Sequence, residues 1–306
     1  MHLKPARTAA IAAAIGGVLV LGLGSAQAAK AKPVQYVRCN SNALGDAIGD
    51  GGTLYLTAGC TYRVPDTLTV SQNTTIYGYE DTLVGGGPRS DYSVLYVDCM
   101  KDLTLNGVNI SEGSAEDGGA IDSAGNLTIN GGVFSHNSGE DGGAIYTGSG
   151  GTMAISNAVF TGNEGEDGGA IWSDTDNPLL DGVHFGQNKA DKGGALYLAD
   201  TATVEDSSFL GDVASSQGGA IWNDGDLTLQ NITDVAGSGN ELEGNEAYLG
   251  GGIYNNDWVS VGETVINSNE AHHGGGIYNG CDGEPLVLTD ATIVENVFDN
   301  IYYQDC

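Results

Sequence analysis

The sequence predicts an all-β chain built as a solenoid, one stack of near-identical coils of about 25 residues each. Three observations predict it. The stretch Gly142-Gly143-Ala144-Ile145-Tyr146 recurs, with copies beginning at Gly118, Gly142, Gly168, Gly193, Gly218, Gly250 and Gly274. Their intervals are 24, 26, 25, 25, 32 and 24 residues. Each copy follows a fixed upstream pattern: an apolar triplet such as Leu127-Thr128-Ile129, then Phe134, then Asn137. Finally, the apolar runs are short, β-branched or aromatic, and punctuated by Gly, Asn, Asp and Ser. No 3.6-residue stripe is long enough to make the repeat helical.

One such unit cannot bury its own apolar face, so the units must stack. About 25 residues suit one coil of a three-sided parallel β-helix, each coil about 4.8 Å above the last. A propeller blade needs roughly 40 to 50 and is the weaker fit. The Phe position recurs as Ile110, Phe134, Phe160, Phe185, Phe209, Ile266 and Ile293. The Asn position recurs as Asn137, Asn163, Asn188, Asp212, Asn245, Asn269 and Asn296. One amide per coil at the same turn predicts a stacked amide ladder with a structural role. The Gly pairs predict corners at positive φ and close approach of successive coils.

In chain order, residues 1–28 read as a secretory signal. Lys4 and Arg7 form its basic end, Ala9 to Gly24 its apolar stretch, and Ala26-Gln27-Ala28 its cleavage site. Residues 29–62 read as an N-terminal cap with a short helix over Asn42–Ile48 and a first strand from Gly51 to Leu56. Residues 63–306 form the β-helix, regular from Leu103 to about Asn300. The 32-residue interval carries an insertion near Asp234 to Glu241. It reads either as a functional wall or as a tolerated loop. No second hydrophobic span follows the signal, so the mature chain is expected to be secreted, with no membrane span.

Five cysteines in an exported chain suggest two bridges and one leftover. Cys39 and Cys60 flank the cap. Cys281 and Cys306 stand one coil apart, so stacking brings their backbones within disulfide range. Cys99 follows Leu95 and Val97 at period two and is expected to point inward as a small buried hydrophobe.

The formal net charge is −30, and removing the signal leaves 8 basic against 40 acidic residues. Such a surface repels nucleic acid, anionic membranes and free polyuronates unless cations intervene.

The Gly-Gly-Ala-Ile motif with its upstream Phe-x-x-Asn resembles the repeats of chlamydial polymorphic outer-membrane proteins. It is seen in Phe134 to Asn137 with Gly142 to Ile145, in Phe160 to Asn163 with Gly168 to Ile171, and in Phe185 to Asn188 with Gly193 to Leu196. More broadly the chain resembles secreted right-handed parallel β-helix proteins of the pectin-lyase-like superfamily. The chlamydial resemblance implies adhesion at a cell surface and a C-terminal membrane barrel. The sequence shows no barrel pattern before Cys306, so autotransport is not expected. The enzymatic branch of the superfamily carries Asn-Thr-Asp, Asp-Asp, Gly-His-Gly and Arg-Ile-Lys signatures in its polygalacturonase-like members, and none occurs here. Its lyase-like members use an Arg or Lys base beside calcium-binding acids. Arg63, Arg89, Lys101, Lys189 and Lys192 fall in no such motif.

Two ladders are candidate sites. One place after the repeat's Ile or Leu stand Tyr146, Trp172, Tyr197, Trp222, Tyr254 and Tyr278. Alternation puts these rings on the outer face, where they either stack on one another or offer a platform to sugar rings or an apolar partner. Trp172 and Trp222 are expected to face solvent. Just before the Gly pairs stand Glu116-Asp117, Glu140-Asp141, Glu166-Asp167 and Asp191. Stacking would place like carboxylates about 4.8 Å apart, where they splay into solvent, take up protons, or share a hard cation such as calcium.

The functional expectation is a secreted or cell-surface solenoid that binds a carbohydrate or a surface protein along one face. The competing readings are a polysaccharide lyase or glycoside hydrolase using acids on adjacent coils, and a purely structural rod.

Overall fold

The computed structural model describes residues 32, 34–88, 90–231, 239–281 and 286–304. The expected signal, most of the insertion and Cys306 lie outside these residues.

The expected repeat is the building unit. Ten short strands, one per coil, stack in parallel into a first face: Leu68–Val70, Leu95–Val97, Ile121–Ser123, Ile145–Thr147, Ile171–Ser173, Leu196–Leu198, Ile221–Asn223, Ile253–Asn255, Ile277–Asn279 and Ile301–Tyr303. Register follows the repeat residue by residue, with Ile145 opposite Ile171 and Tyr146 opposite Trp172. A second face stacks the apolar triplets, such as Met153–Ser156 on Asn126–Asn130. A third stacks the Phe strands, such as Val133–Ser135 on Val159–Thr161. The last two faces join into one 19-stranded sheet. Two long early strands, Thr74–Val84 and Asp102–Ser111, contribute to both.

The core runs down the axis. Phe134, Phe160, Phe185 and Phe209 are fully buried and stack at centroid spacings of 4.8, 5.2 and 4.7 Å. Rings at the coil spacing fill the interior with offset-stacked contacts. Gly142 adopts φ of +64°, the left-handed corner that glycine enters without a Cβ penalty. A Cβ on Gly143 would collide with the carbonyl oxygen of Gly169 one coil away, so coils this close exclude any side chain there.

The amide ladder forms as expected. Asn137 donates Nδ2 to Oδ1 of Asn163 at 3.0 Å, and Asn163 does the same to Asn188 at 3.0 Å. A second amide ladder was not foreseen. Asn223, Asn255 and Asn279 end their strands pointing inward and bond in series at 2.8 and 2.7 Å.

The cap is a helix, Ser41–Asp50, two residues longer at its C-terminal end than the expected Asn42–Ile48 and one longer at its start. Asn40 caps it, its side chain accepting from the amides of Asn42 and Ala43 at 2.9 and 3.2 Å. Its own Leu44, Ala47 and Ile48 are buried. Cys39 and Cys60 are bonded, tying the cap to the first coil. Cys281 is disulfide-bonded too, but its expected partner, Cys306, lies outside the described residues. Cys99 corrects the expectation. The strand Leu95–Val97 ends before it, a turn follows with Met100 at φ +60°, and Cys99 emerges free and exposed. Period-two alternation holds only while the strand lasts.

Candidate functional site

The outer row of the first face reads, coil by coil, Thr69, Tyr96, Asp122, Tyr146, Trp172, Tyr197, Trp222, Tyr254, Tyr278 and Tyr302. From Tyr146 on, the rings stack at 4.7, 5.9, 4.1, 6.2, 5.1 and 5.1 Å between centroids. Rings stacked face to face cover one another and show outward only their edges. Three expected platform residues are therefore corrected: Trp222, Tyr254 and Tyr278 are 7, 9 and 6 % exposed. They form an outer apolar cluster with Tyr197, Leu249 and Tyr302 against them. Their polar ends are occupied as well: Trp222 donates Nε1 to Gln217 at 3.3 Å and Tyr278 donates its hydroxyl to Gln304 at 3.0 Å. Tyr146, Trp172 and Tyr197 are half-buried.

The row breaks at Asp122. With a carboxylate where a ring would stand, Tyr96 and Tyr146 have no ring between them. A cleft of about 460 Å³ lies on the upstream side of Asp122, lined among others by Thr69, Asp91, Tyr92, Tyr96, Asp117 and Asp122. Burial, and then the neighbouring charge of Asp117, push the Asp122 carboxyl up to about 6. Asp117 is raised as well, by burial first and Glu116 second. The turn is braced from behind, since Ser93 donates its hydroxyl to the Asp117 carbonyl at 2.9 Å. Tyr92 is anchored by its hydroxyl to the Val64 carbonyl at 2.8 Å.

The acid ladder is real and divides in two. Asp117, Asp141 and Asp167 pair in register on successive coils and are half-buried beside the tyrosine row. Glu116, Glu140, Glu166 and Asp191 are exposed. Asp141 is raised by burial first, then by Asp167 and Asp117. Tyr146 is raised by burial first, then by Asp117, Asp141, Asp122 and Asp174. Lys192 ends the ladder at the next coil, its Nζ 3.3 Å from Asp167 Oδ2 and 5.9 and 5.8 Å from the ring centres of Tyr197 and Trp222. The mutual repulsion is felt in the raised carboxyls of Asp117 and Asp141, and one lysine offsets part of it at Asp167. Among the described residues no three His, Cys, Asp or Glu side chains converge to hold a metal ion.

Sequence reasoning missed Asp122, Tyr96 and Tyr92. The repeat supplied the signal for the first two: extending the Tyr146 row two coils upstream reaches them directly. No protein-family model, curated protein or solved structure matches the chain. Among the described residues no helix is long and apolar enough to cross a membrane.

Proposed function

We propose that the protein is a secreted or cell-surface solenoid that binds a polysaccharide in the cleft beside Asp122. One observation carries this: the ring row that covers itself from Tyr146 onward ends at Asp122, beside a 460 Å³ cleft walled by Tyr92 and Tyr96. Concave sites of a few hundred Å³ with aromatic walls and a few convergent polar groups suit ring-shaped ligands. The carboxylates favour a neutral or amino sugar chain over a polyuronate. Calcium enters the reading only as an exchangeable counter-ion along Glu116 to Asp191. Calorimetry on chelator-treated protein decides that point, and no heat of binding removes it. A surface protein as partner is the alternative occupant.

A specific feature favours hydrolysis as the second reading. Asp122, titrating near 6, is protonated in mildly acidic solution while beside it stands a second carboxyl, Asp117. A proton-donating acid paired with a second carboxyl is the machinery of glycoside hydrolysis. Such activity would fall as pH rises through about 6, as Asp122 loses its proton.

Screening the chain against a polysaccharide panel for binding and for released reducing ends tests both readings. Binding that is lost in Tyr96→Ala, without product release, supports the binding reading. Release abolished by Asp122→Asn supports hydrolysis. Binding untouched by both variants refutes the cleft.

A further inference from the structure

A second aromatic surface lies at the capped end, on the other sheet. Tyr36, Tyr55 and Tyr77 stack in register at 5.5 and 4.8 Å. The row stops at Tyr77, because the residue paired with it on the next coil is Asn106. Directly after Tyr77 the strand bulges: Tyr77 pairs with Asn106 but Asp81 pairs with Val108, so three residues on one strand oppose one on the other. The bulge is Gly78-Tyr79-Glu80 opposite Gly107, with Glu80 at φ +59° and Gly107 at +64°. Bulges re-aim side chains, and this one sends Tyr79 outward, 81 % exposed.

Tyr79 is nevertheless held rigidly by its backbone. Asp81, completely buried, accepts the Tyr79 amide at one carboxylate oxygen at 2.7 Å and the Cys60 amide at the other at 2.8 Å. Gly59 donates its amide to the Tyr79 carbonyl at 3.0 Å. Cys60 is in turn bonded to Cys39. A buried carboxylate and a disulfide therefore fix the loop that presents an exposed ring. Preorganised presentation of this kind suits a binding site better than a chance surface residue.

The pocket so formed measures about 310 Å³ and is lined by Tyr55, Leu56, Tyr77, Gly78, Tyr79, Asn106 and Gly107. Two chemical facts narrow its occupant. First, no charged side chain lines it, in a chain carrying −30. Second, the hydroxyls of Tyr55, Tyr77 and Tyr79 have no hydrogen-bond partner among the described residues. The structural tyrosines differ: Tyr62 and Tyr92 donate theirs to the carbonyls of Val37 and Val64. A peptide adding as a strand at the pocket is excluded, because the amides there are spent between coils, as in Leu56 N–H to the Tyr77 carbonyl at 2.9 Å. The uncovered face of Tyr77, the ring of Tyr79, the phenolic hydroxyls and the absence of charge match the alternating apolar faces and hydroxyl rims of a neutral sugar.

We propose that the pocket between Tyr55, Tyr77 and Tyr79 binds an uncharged saccharide, as a site separate from the acid-lined cleft at Asp122. It does not depend on that cleft having any function. The test titrates the full chain with cellohexaose, xylohexaose, mannohexaose and laminarihexaose by calorimetry, with a hexagalacturonate and a proline decapeptide as contrasts. At least one neutral hexasaccharide should bind, and Tyr79→Ala should weaken it roughly tenfold, the loss of one stacking partner. The Tyr79-dependent binding should persist in an Asp122→Asn background, whatever that variant does to binding at the cleft. Tyr79→Ala should also keep the wild-type melting temperature, since the ring makes no stacking contact among the described residues. Failure of all four neutral sugars at millimolar concentration overturns the proposal. So does binding that, in the Asp122→Asn background, survives both Tyr79→Ala and Tyr77→Ala, or binding of the proline peptide alone. Binding lost in Asp122→Asn but kept in Tyr79→Ala would assign the sugar to the cleft instead.

Discussion

Asp212 occupies a place in the amide ladder where every other described member is asparagine, and replacing it should stabilise the protein in a pH-dependent way. In the other coils the amide nitrogen donates to the carbonyl of the residue at the Phe position of the coil before. Asn163 reaches Phe134, Asn188 reaches Phe160 and Asn245 reaches Phe209, at 3.0, 3.1 and 3.1 Å. The same nitrogen also donates onward to the next amide oxygen, as Asn163 does to Asn188. At position 212 this nitrogen is replaced by Oδ2, which has no partner and no exposure. By the ladder's register it faces two acceptors, the Phe185 carbonyl and Asn245 Oδ1. Only the neutral acid, with a proton on Oδ2, can satisfy either. Burial accordingly drives the carboxyl up to about 7, although the Asn188 amide and side chain both donate to Oδ1 and pull it down. The sign follows from linkage. Below the unfolded value of 3.8 both states are protonated and pH has no effect. Between 3.8 and about 7 the unfolded chain ionises and the folded one does not, so stability falls as pH rises, then levels off. A shift of roughly three pH units corresponds to about 4 kcal/mol. Asp212→Asn removes that loss and restores the missing donor. Thermal and urea unfolding at pH 4 and pH 8 should show the variant more stable by about 4 kcal/mol at pH 8 but only about 1 kcal/mol at pH 4. Because stability in a solenoid is largely a sum over neighbouring coils, hydrogen exchange at the amides of Asn188 and Asp212 should slow in parallel. Equal stabilisation at both pH values, or any destabilisation at pH 8, would refute the argument.

Three further outcomes follow from the packing. Phe160→Ala opens a cavity between Phe134 and Phe185 in the axial stack and should cost about 3 to 5 kcal/mol, read by urea unfolding. Trp222→Ala should lower the melting temperature by several degrees with sugar binding unchanged, because the ring is stacked between Tyr197 and Tyr254 and buried. Replacing Cys39 and Cys60 by Ser frees a loop spanning a sequence separation of 21 and should cost about 3 kcal/mol. If Asp81 is oriented through Cys60, that double variant should also weaken saccharide binding at Tyr79, measured by the same calorimetric titration.

A repeat makes the scaffold legible and conceals the sites. The period of the Gly pairs, the Phe and Asn positions and the inward Ile residues are each read several times over, so the coil, its core and its amide ladder follow from the sequence with their register. Local context decides the rest. Alternation assigned the Tyr146 row to the outer face correctly, yet outer does not mean available: stacked at about the coil spacing, Trp222, Tyr254 and Tyr278 bury one another. Cys99 was misplaced because alternation was carried past the last strand residue, Val97. The chemically distinctive positions are departures from the repeat: Asp122 for a ring, Lys192 for an acid, Asp212 for an amide and the bulge at Tyr79. In a stacked repeat, a residue that copies its neighbours is satisfied by them, ring on ring or amide on amide. A residue that breaks the row meets different partners: Lys192 pairs with Asp167, Asp122 borders a cleft, and Asp212 leaves one buried carboxyl oxygen unpartnered. Function in such a rod is therefore to be sought where the register persists and the side chain does not.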